Sequence, residues 1–127
     1  MRFQAAQWLL PLSVCIHNAE EAIRMPAFWQ QLHWNPPVSR RHLWLAMLAL
    51  DLLAVLLTYF AVKHGRHSVT GHLYMGFVFV LLLNVMWHVG VMIWYGTYAT
   101  GVVTAVIFNL PLTVYLLRRA GRERENG

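Results

Sequence analysis

Four long apolar stretches divide the chain, at about residues 5–23, 42–62, 71–95 and 98–117. Each approaches the roughly 20 residues that cross a hydrocarbon layer about 30 Å thick. Backbone groups in lipid must bond within their own segment, so the pattern predicts four membrane-spanning helices. The first stretch is the least regular, because Pro11 interrupts it and His17, Glu20 and Glu21 collect near its end.

The connectors differ in character. Residues 24–41 include Pro26, Trp29, His33, Trp34, Pro36 and Pro37, which suits a membrane interface. They predict a short interfacial helix around 26–33, stopped by Pro36-Pro37. The second connector is the basic turn Lys63-His64-Gly65-Arg66-His67-Ser68. The third is short, near Tyr95-Gly96-Thr97, which predicts an antiparallel hairpin of helices 3 and 4. The tail from Gly121 is polar and expected to fray. With no internal repeat and no second domain, the chain is expected to be one all-α transmembrane domain over 1–127, an integral membrane four-helix bundle.

Composition sharpens this picture. The 127 residues are 58% hydrophobic and 12% charged, against about a quarter charged in ordinary soluble domains. The net charge of +5 is no nucleic-acid footprint, because the basic residues sit at the ends of apolar runs, where they orient helices. No nucleic-acid partner is expected. Residues 2–12 have the outline of a signal peptide but lack a small-x-small cleavage site, so they are read as part of helix 1. The single Cys15 cannot form an internal disulfide and reads as a small core residue.

Charge also sets a topology. Arg2, Lys63, Arg66, Arg118, Arg119, Arg122 and Arg124 fall on one side, and Arg24, Arg40 and Arg41 on the other. Seven against three predicts a multi-pass protein of the inner (plasma) membrane with both termini cytoplasmic. Helices 1 and 3 then run outward together. His17 and His88 each lie about seven residues before the outer end, at roughly the same depth, about 10 Å below it. Asp51, Asn84 and Asn109 lie deeper, so depth permits one polar site drawn from four helices.

Five ionisable or polar groups are the chemical candidates. His17, Glu20 and Glu21 share one helix face, and charge inside hydrocarbon costs several kcal/mol, so such residues usually mark a site. They suit metal ligation or acid–base work; a salt bridge from Arg24 to either glutamate accounts for only one of them. Asn84 and His88 are four residues apart and also share a face. His88 offers a second metal ligand, and Asn84 can orient it, bind substrate or simply bond between helices. Asp51 is a lone acid that completes a metal site, carries a proton, or bonds to Asn84 or Asn109. Asn109 stands two residues before Pro111, where it can satisfy a carbonyl freed by the proline. His33, His42, His64, His67 and His72 lie in connectors or at helix ends and read as solvated. Trp29, Trp34, Trp44, Trp94, Tyr95 and Tyr98 read as interfacial anchors. The sequence has no Gly-rich phosphate loop, no His-Glu-x-x-His motif and no Cys-x-x-Cys.

His17-Asn18-Ala19-Glu20-Glu21, with Asn84-x-x-x-His88 in helix 3 and Tyr98-Ala99-Thr100-Gly101 before Pro111, resembles the HXXEE family of small bacterial and archaeal membrane proteins. The similarity covers nearly the whole chain. Where the family often carries a proline-glycine pair, this chain has Thr100-Gly101. The resemblance implies a helical membrane fold with a polar site and supplies no substrate.

Three functional classes remain open on these grounds. The first is a metal-dependent membrane enzyme acting on a lipid or other lipophilic small molecule. His17, Glu20 and His88 would be its first ligands to zinc or iron, with Glu21 or Asp51 as fourth ligand or base. The second is a metal-free acid–base lipid isomerase or hydratase. The third is a non-enzymatic carrier or accessory subunit, for which a homodimer would supply symmetry.

Overall fold

The computed structural model describes residues 3–125, with side chains through Arg122. These residues form four helices and no strand. Helix α1 is Phe3–Gln31, α2 is Arg40–His64 and α3 is Val69–Tyr95. The last helix, α4, joins a single α-helical turn Val102–Thr104, a π-helical turn Ala105–Asn109 and the α-helical Leu110–Glu125. Arg2 and the Arg124 side chain, both counted in the charge asymmetry, lie outside the described residues.

Three helices, α2, α3 and the stretch Val102–Arg122, are long and apolar enough to cross a membrane. Helix α1 is not in that set, because its polar residues dilute it. Their placement inverts what water would select. Gln7, Ser13, His17, Asn18 and Glu21 are buried, whereas Trp8, Leu9, Leu12, Ile16 and Ile23 face outward. On α2, Leu45, Leu48, Leu52, Leu53 and Leu56 are likewise exposed. Apolar surface of this extent is foreign to a water-soluble monomer and suits a lipid surround.

The helices pack in the cyclic order α1, α2, α3, α4, with α4 closing onto α1. Helices α1 and α3 are therefore diagonal partners whose side chains meet along the central axis. Leu10, Val14, Tyr74, Val78, Leu81 and Leu116 fill the apolar part of that axis. Helix α2 buries Ala54, Thr58 and Ala61, small side chains that let the neighbouring helices approach closely.

The end of α1 differs from the sequence expectation. The pattern predicts a stop near residue 23 and a separate helix at 26–33; instead α1 continues through Pro26 to Gln31. A proline inside a helix removes one N–H and frees the carbonyl four residues back. Such a defect is tolerated where another group takes up the carbonyl. At Pro11 that carbonyl is Gln7, and the Tyr74 hydroxyl donates to it at 3.5 Å. The real stop lies at His33, in the left-handed region at φ +52°. There the Trp34 N–H bonds to the Trp29 carbonyl (2.9 Å) and the His33 N–H to the Gln30 carbonyl (3.0 Å). These are the paired bonds of a Schellman cap. Its accompanying apolar contact is Trp29 against Trp34, edge to face at 6.1 Å.

Ser39 and Ser68 cap α2 and α3, accepting from the backbone N–H groups of His42 (3.3 Å) and Gly71 (3.0 Å). Helix 4 begins at Val102 rather than 98, because Gly101 is left-handed at φ +82° and cannot sit inside a right-handed helix. The π-turn that follows bonds the Leu110 N–H to the Ala105 carbonyl, five residues back. It ends immediately before Pro111, which has no N–H to offer Ile107. Beyond Gly121, where fraying was expected, α4 stays helical to Glu125. The Arg66 guanidinium donates to the Ala120 carbonyl and ties the α2–α3 turn to this last part of α4.

Candidate metal centre

His17 and Glu21 stand one turn apart on α1, and Asn84 and His88 one turn apart on α3. Both helices run in the same direction, so the two pairs meet at one level of the bundle. The His17 and His88 rings lie edge to face, with centroids 4.8 Å apart and planes at 84°. Glu21 Oε1 is 3.0 Å from His88 Nε2 and 3.9 Å from His17 Nε2. One ligand-capable atom from each of the three lies within 4.8 Å of the others. Both histidines are buried, and Glu21 sits at the margin of burial.

Hydrogen bonds assign the His17 tautomer. Thr104 Oγ1 donates to Glu20 Oε2 at 2.6 Å, so toward His17 Nδ1, 3.0 Å away, it accepts. The proton of neutral His17 is thereby placed on Nδ1, leaving a lone pair on Nε2. Asn84 Nδ2 lies 3.1 Å from that Nε2 and can donate to it. His88 Nε2 is different. It is buried, and its 3.0 Å approach to Glu21 lacks hydrogen-bond geometry, so no such partner completes it. A buried ring nitrogen in that condition invites an additional occupant.

Gly101 forms the wall against which the three side chains meet. A Cβ there would stand 2.8 Å from His17 Cε1, 3.0 Å from Glu21 Cγ and 3.0 Å from His88 Cε1. Only a residue without a side chain satisfies both that space and the positive φ.

The two glutamates take roles opposite to those the sequence offered. Glu20, expected as a ligand, points to the start of α4, where it accepts from the Thr104 hydroxyl, the Thr104 N–H (3.2 Å) and the Tyr98 hydroxyl. Glu21, expected as a base or fourth ligand, is the carboxylate beside the histidines. Burial, then the bond to the Glu20 carboxylate, pushes the Tyr98 phenol up to about 12, so it stays a proton donor at neutral pH. Tyr98 is thus tied to the site rather than serving solely as an interfacial anchor. Arg24, expected on a glutamate, lies over the Tyr98 ring at 5.6 Å.

Asp51 does not join this group. It accepts from Asn18 Nδ2 at 2.7 Å, beside a small cavity also lined by Cys15 and Met47. Asn18 is one residue round the helix from His17 and so faces α2. Asn109 is fully buried nearer the bundle's middle, where its Oδ1 accepts from the Ser13 hydroxyl. Gly101, Thr104 and Tyr98 were not among the sequence's site candidates. Tyr98 and Gly101 carried a signal in the run 98–101; Thr104 carried none.

A cavity of about 670 Å³ opens from the site between the last turns of α1 and α3. Glu21, Asn84, His88 and Thr100 line one end, and Phe28, Trp29, Trp34, Trp87 and Tyr95 line much of the rest. Its size is that of a small-molecule pocket.

The donor set fits a metal ion. Two histidines and one carboxylate, with an open side, are a catalytic zinc ligand set. Metal–ligand bonds of about 2.0–2.2 Å place tetrahedral ligand atoms roughly 3.4 Å apart, so the widest of the present separations would close by about 1 Å.

Comparison with known proteins adds a family. The family described as a protein of unknown function with HXXEE motif matches residues 8–116. The chain is 24% identical over 102 residues to the uncharacterised protein YrkK of Bacillus subtilis (strain 168), covering 79% of this chain. The match spans 65% of YrkK, under two thirds of its length. No solved structure matches.

Proposed function

The chain belongs to the HXXEE family, and we propose that His17, Glu21 and His88 form a metal centre in a membrane-embedded enzyme acting on a lipophilic substrate. The observation that carries this is convergence. Three ligand-capable atoms from diagonal helices meet at the end of an otherwise largely apolar cavity, and the Nε2 atoms of both histidines are available there. Charged and polar groups inside a membrane bundle are costly and seldom incidental. The inverted pattern of α1, polar within and apolar without, supports it as a fourth membrane crossing. The basic ends support a plasma-membrane protein with both termini cytoplasmic.

Zinc or iron held there would act as a Lewis acid on a substrate oxygen or activate a water. The chain's own residues would do the rest. Thr104 holds His17 with its Nε2 lone pair facing inward, in the manner of outer partners that orient ligating histidines. Glu20 fixes Thr104. Asn84 offers an N–H beside the cavity, and Glu21 carries the negative charge that attracts a cation.

A metal-free reading has one observation in its favour, the 3.0 Å approach of His88 Nε2 to Glu21 Oε1, across which a proton can pass. One experiment separates the two. Untagged wild type, Glu21→Gln and Glu20→Gln are purified from metal-replete cells in mild detergent, and bound metal is measured by mass spectrometry. The metal reading expects near-stoichiometric zinc or iron in wild type, its loss in Glu21→Gln and its retention in Glu20→Gln. No metal in the wild type sinks it and leaves the acid–base pair.

A further inference from the structure

The cavity beside the site carries an inference about what enters it. We propose that it binds a neutral lipid with a single oxygen-bearing end group, of the alcohol, aldehyde or ketone class. That group sits at Glu21 and His88, and the apolar body lies along the aromatic wall. The inference rests on the metal-centre reading only in taking the Glu21–His88 end as the reacting end.

Three observations select this class. The first is shape. From Glu21 to Leu32 the α1 wall runs eleven residues, about 16 Å at 1.5 Å each, and the space encloses about 670 Å³. That accommodates an elongated body rather than a compact polar metabolite. The second is polarity. Hydrogen-bonding side chains cluster at one end, at Glu21, Asn84, His88 and Thr100. Met25, Phe28, Trp29, Leu32, Trp87 and Val91 supply the apolar walls. A ligand with one polar end matches that gradient, and the His88 Nε2 lacking a hydrogen bond lies at the polar end. The third is charge. Among the described residues lining the cavity there is no lysine or arginine, and Glu21 is the only carboxylate. A phosphate or carboxylate head would meet Glu21 without a compensating cation, at the cost of a buried like-charge pair. An ammonium head would compete with the metal for Glu21.

Access follows from exposure. Trp34 and Trp87 line the cavity yet are 59% and 69% exposed, so it opens sideways toward the helices' outer, lipid-suited surface. Indole rings favour the membrane interface, and a lipid can pass between them without crossing water.

The test uses the full-length protein in detergent with three photoreactive probes of equal chain length. They carry a diazirine in the chain and end in a primary alcohol, a carboxylate or an amine. Cross-linked positions are mapped by mass spectrometry, and metal is measured on the same samples. The alcohol is expected to label Phe28, Trp29, Trp87 or Val91 at least tenfold over the two charged probes, with unlabelled long-chain alcohol competing. Val91→Trp, which fills the cavity without touching the histidines or Glu21, is expected to cut labelling at least tenfold while keeping wild-type metal content. Competition in the wild type keeps the test independent of how the variant folds. Equal labelling by the charged probes overturns the neutral-lipid assignment. Alcohol labelling spread over the outer faces of α2 and α3 and insensitive to competitor overturns the cavity itself. Cavity labelling in a wild type without metal overturns the metal centre alone, and metal without cavity labelling overturns this inference alone.

Discussion

Gly101→Ala tests the close packing of the site most directly. The residue has φ +82° and ψ −8°, a left-handed conformation that costs a residue with a Cβ about 1–2 kcal/mol. The added carbon would also meet His17 Cε1 at 2.8 Å and the Glu21 Cγ and His88 Cε1 atoms at 3.0 Å, against the 3.4–4 Å of ordinary contact. Each of those groups must retreat by roughly half an ångström. Overpacking of this kind costs about 1–3 kcal/mol. The retreat also stretches the His17 contacts to Thr104 and Asn84, each worth about 1 kcal/mol. The sum is about 3–5 kcal/mol, with metal content falling in step. Gly96→Ala is the matched control: Gly96 is also left-handed, at φ +62°, but nothing lies within 4 Å of a Cβ there. It should lose only the backbone share, about 1–2 kcal/mol, and keep its metal. Thermal unfolding in detergent and metal analysis of both variants provide the comparison. Equal losses in the two would refute the argument that Gly101 is the wall of the site.

Three further outcomes follow from the same geometry. Thr104→Val removes the hydroxyl that fixes the His17 tautomer and should weaken metal affinity 10–100-fold in competitive chelator titrations, while Thr104→Ser restores most of it. His33→Gly relieves the left-handed residue that caps α1 and should raise stability by about 1 kcal/mol in thermal unfolding; a loss would contradict the cap. Subtracting the 295 nm titration of Tyr98→Phe from that of wild type should give one phenol with a midpoint near 12 instead of the ordinary 10. Because folding raises this pKa, the stability linked to Tyr98 is fully present below pH 10 and fades as pH rises through about 12.

The level of the site was legible in the sequence because depth along a helix is a matter of counting. His17 and His88 stand equally far from helix ends of the same direction, and Asn84 is one turn from His88. The division of labour between Glu20 and Glu21 was not legible. The two differ by about 100° around α1, and both directions lead inward in a four-helix bundle. What separates them is Thr104 and Tyr98, some eighty residues away, placed by a left-handed Gly101 that hydropathy cannot reveal. Asp51 was counted toward the centre because depth alone carries no azimuth, and α2 presents it to Asn18 instead. The end of α1 was misplaced for a local reason. Pro26 reads as a breaker, yet a proline in a packed helix need cost only one bond, whereas the actual stop is a histidine in a conformation that sequence rarely signals.

The π-turn in α4 has a consequence for how this chain can tolerate change in length. On α1, Ser13 and His17 are four residues apart; their partners on α4, Asn109 and Thr104, are five apart. An α-helix would carry five residues well past one full turn and rotate one partner away from α1, whereas a turn closed by a five-residue hydrogen bond brings both to the same side. The surplus residue works like a vernier, matching two scales of unequal pitch. Deleting any one residue within Ala105–Asn109 would restore a regular ladder and turn everything after it by about 100°. Either the upper end of α4 would keep Thr104 on His17, or the lower end would keep Thr113, Leu116 and Ala120 buried, but not both. Single-residue deletions here should therefore be far more damaging than substitutions at the same positions.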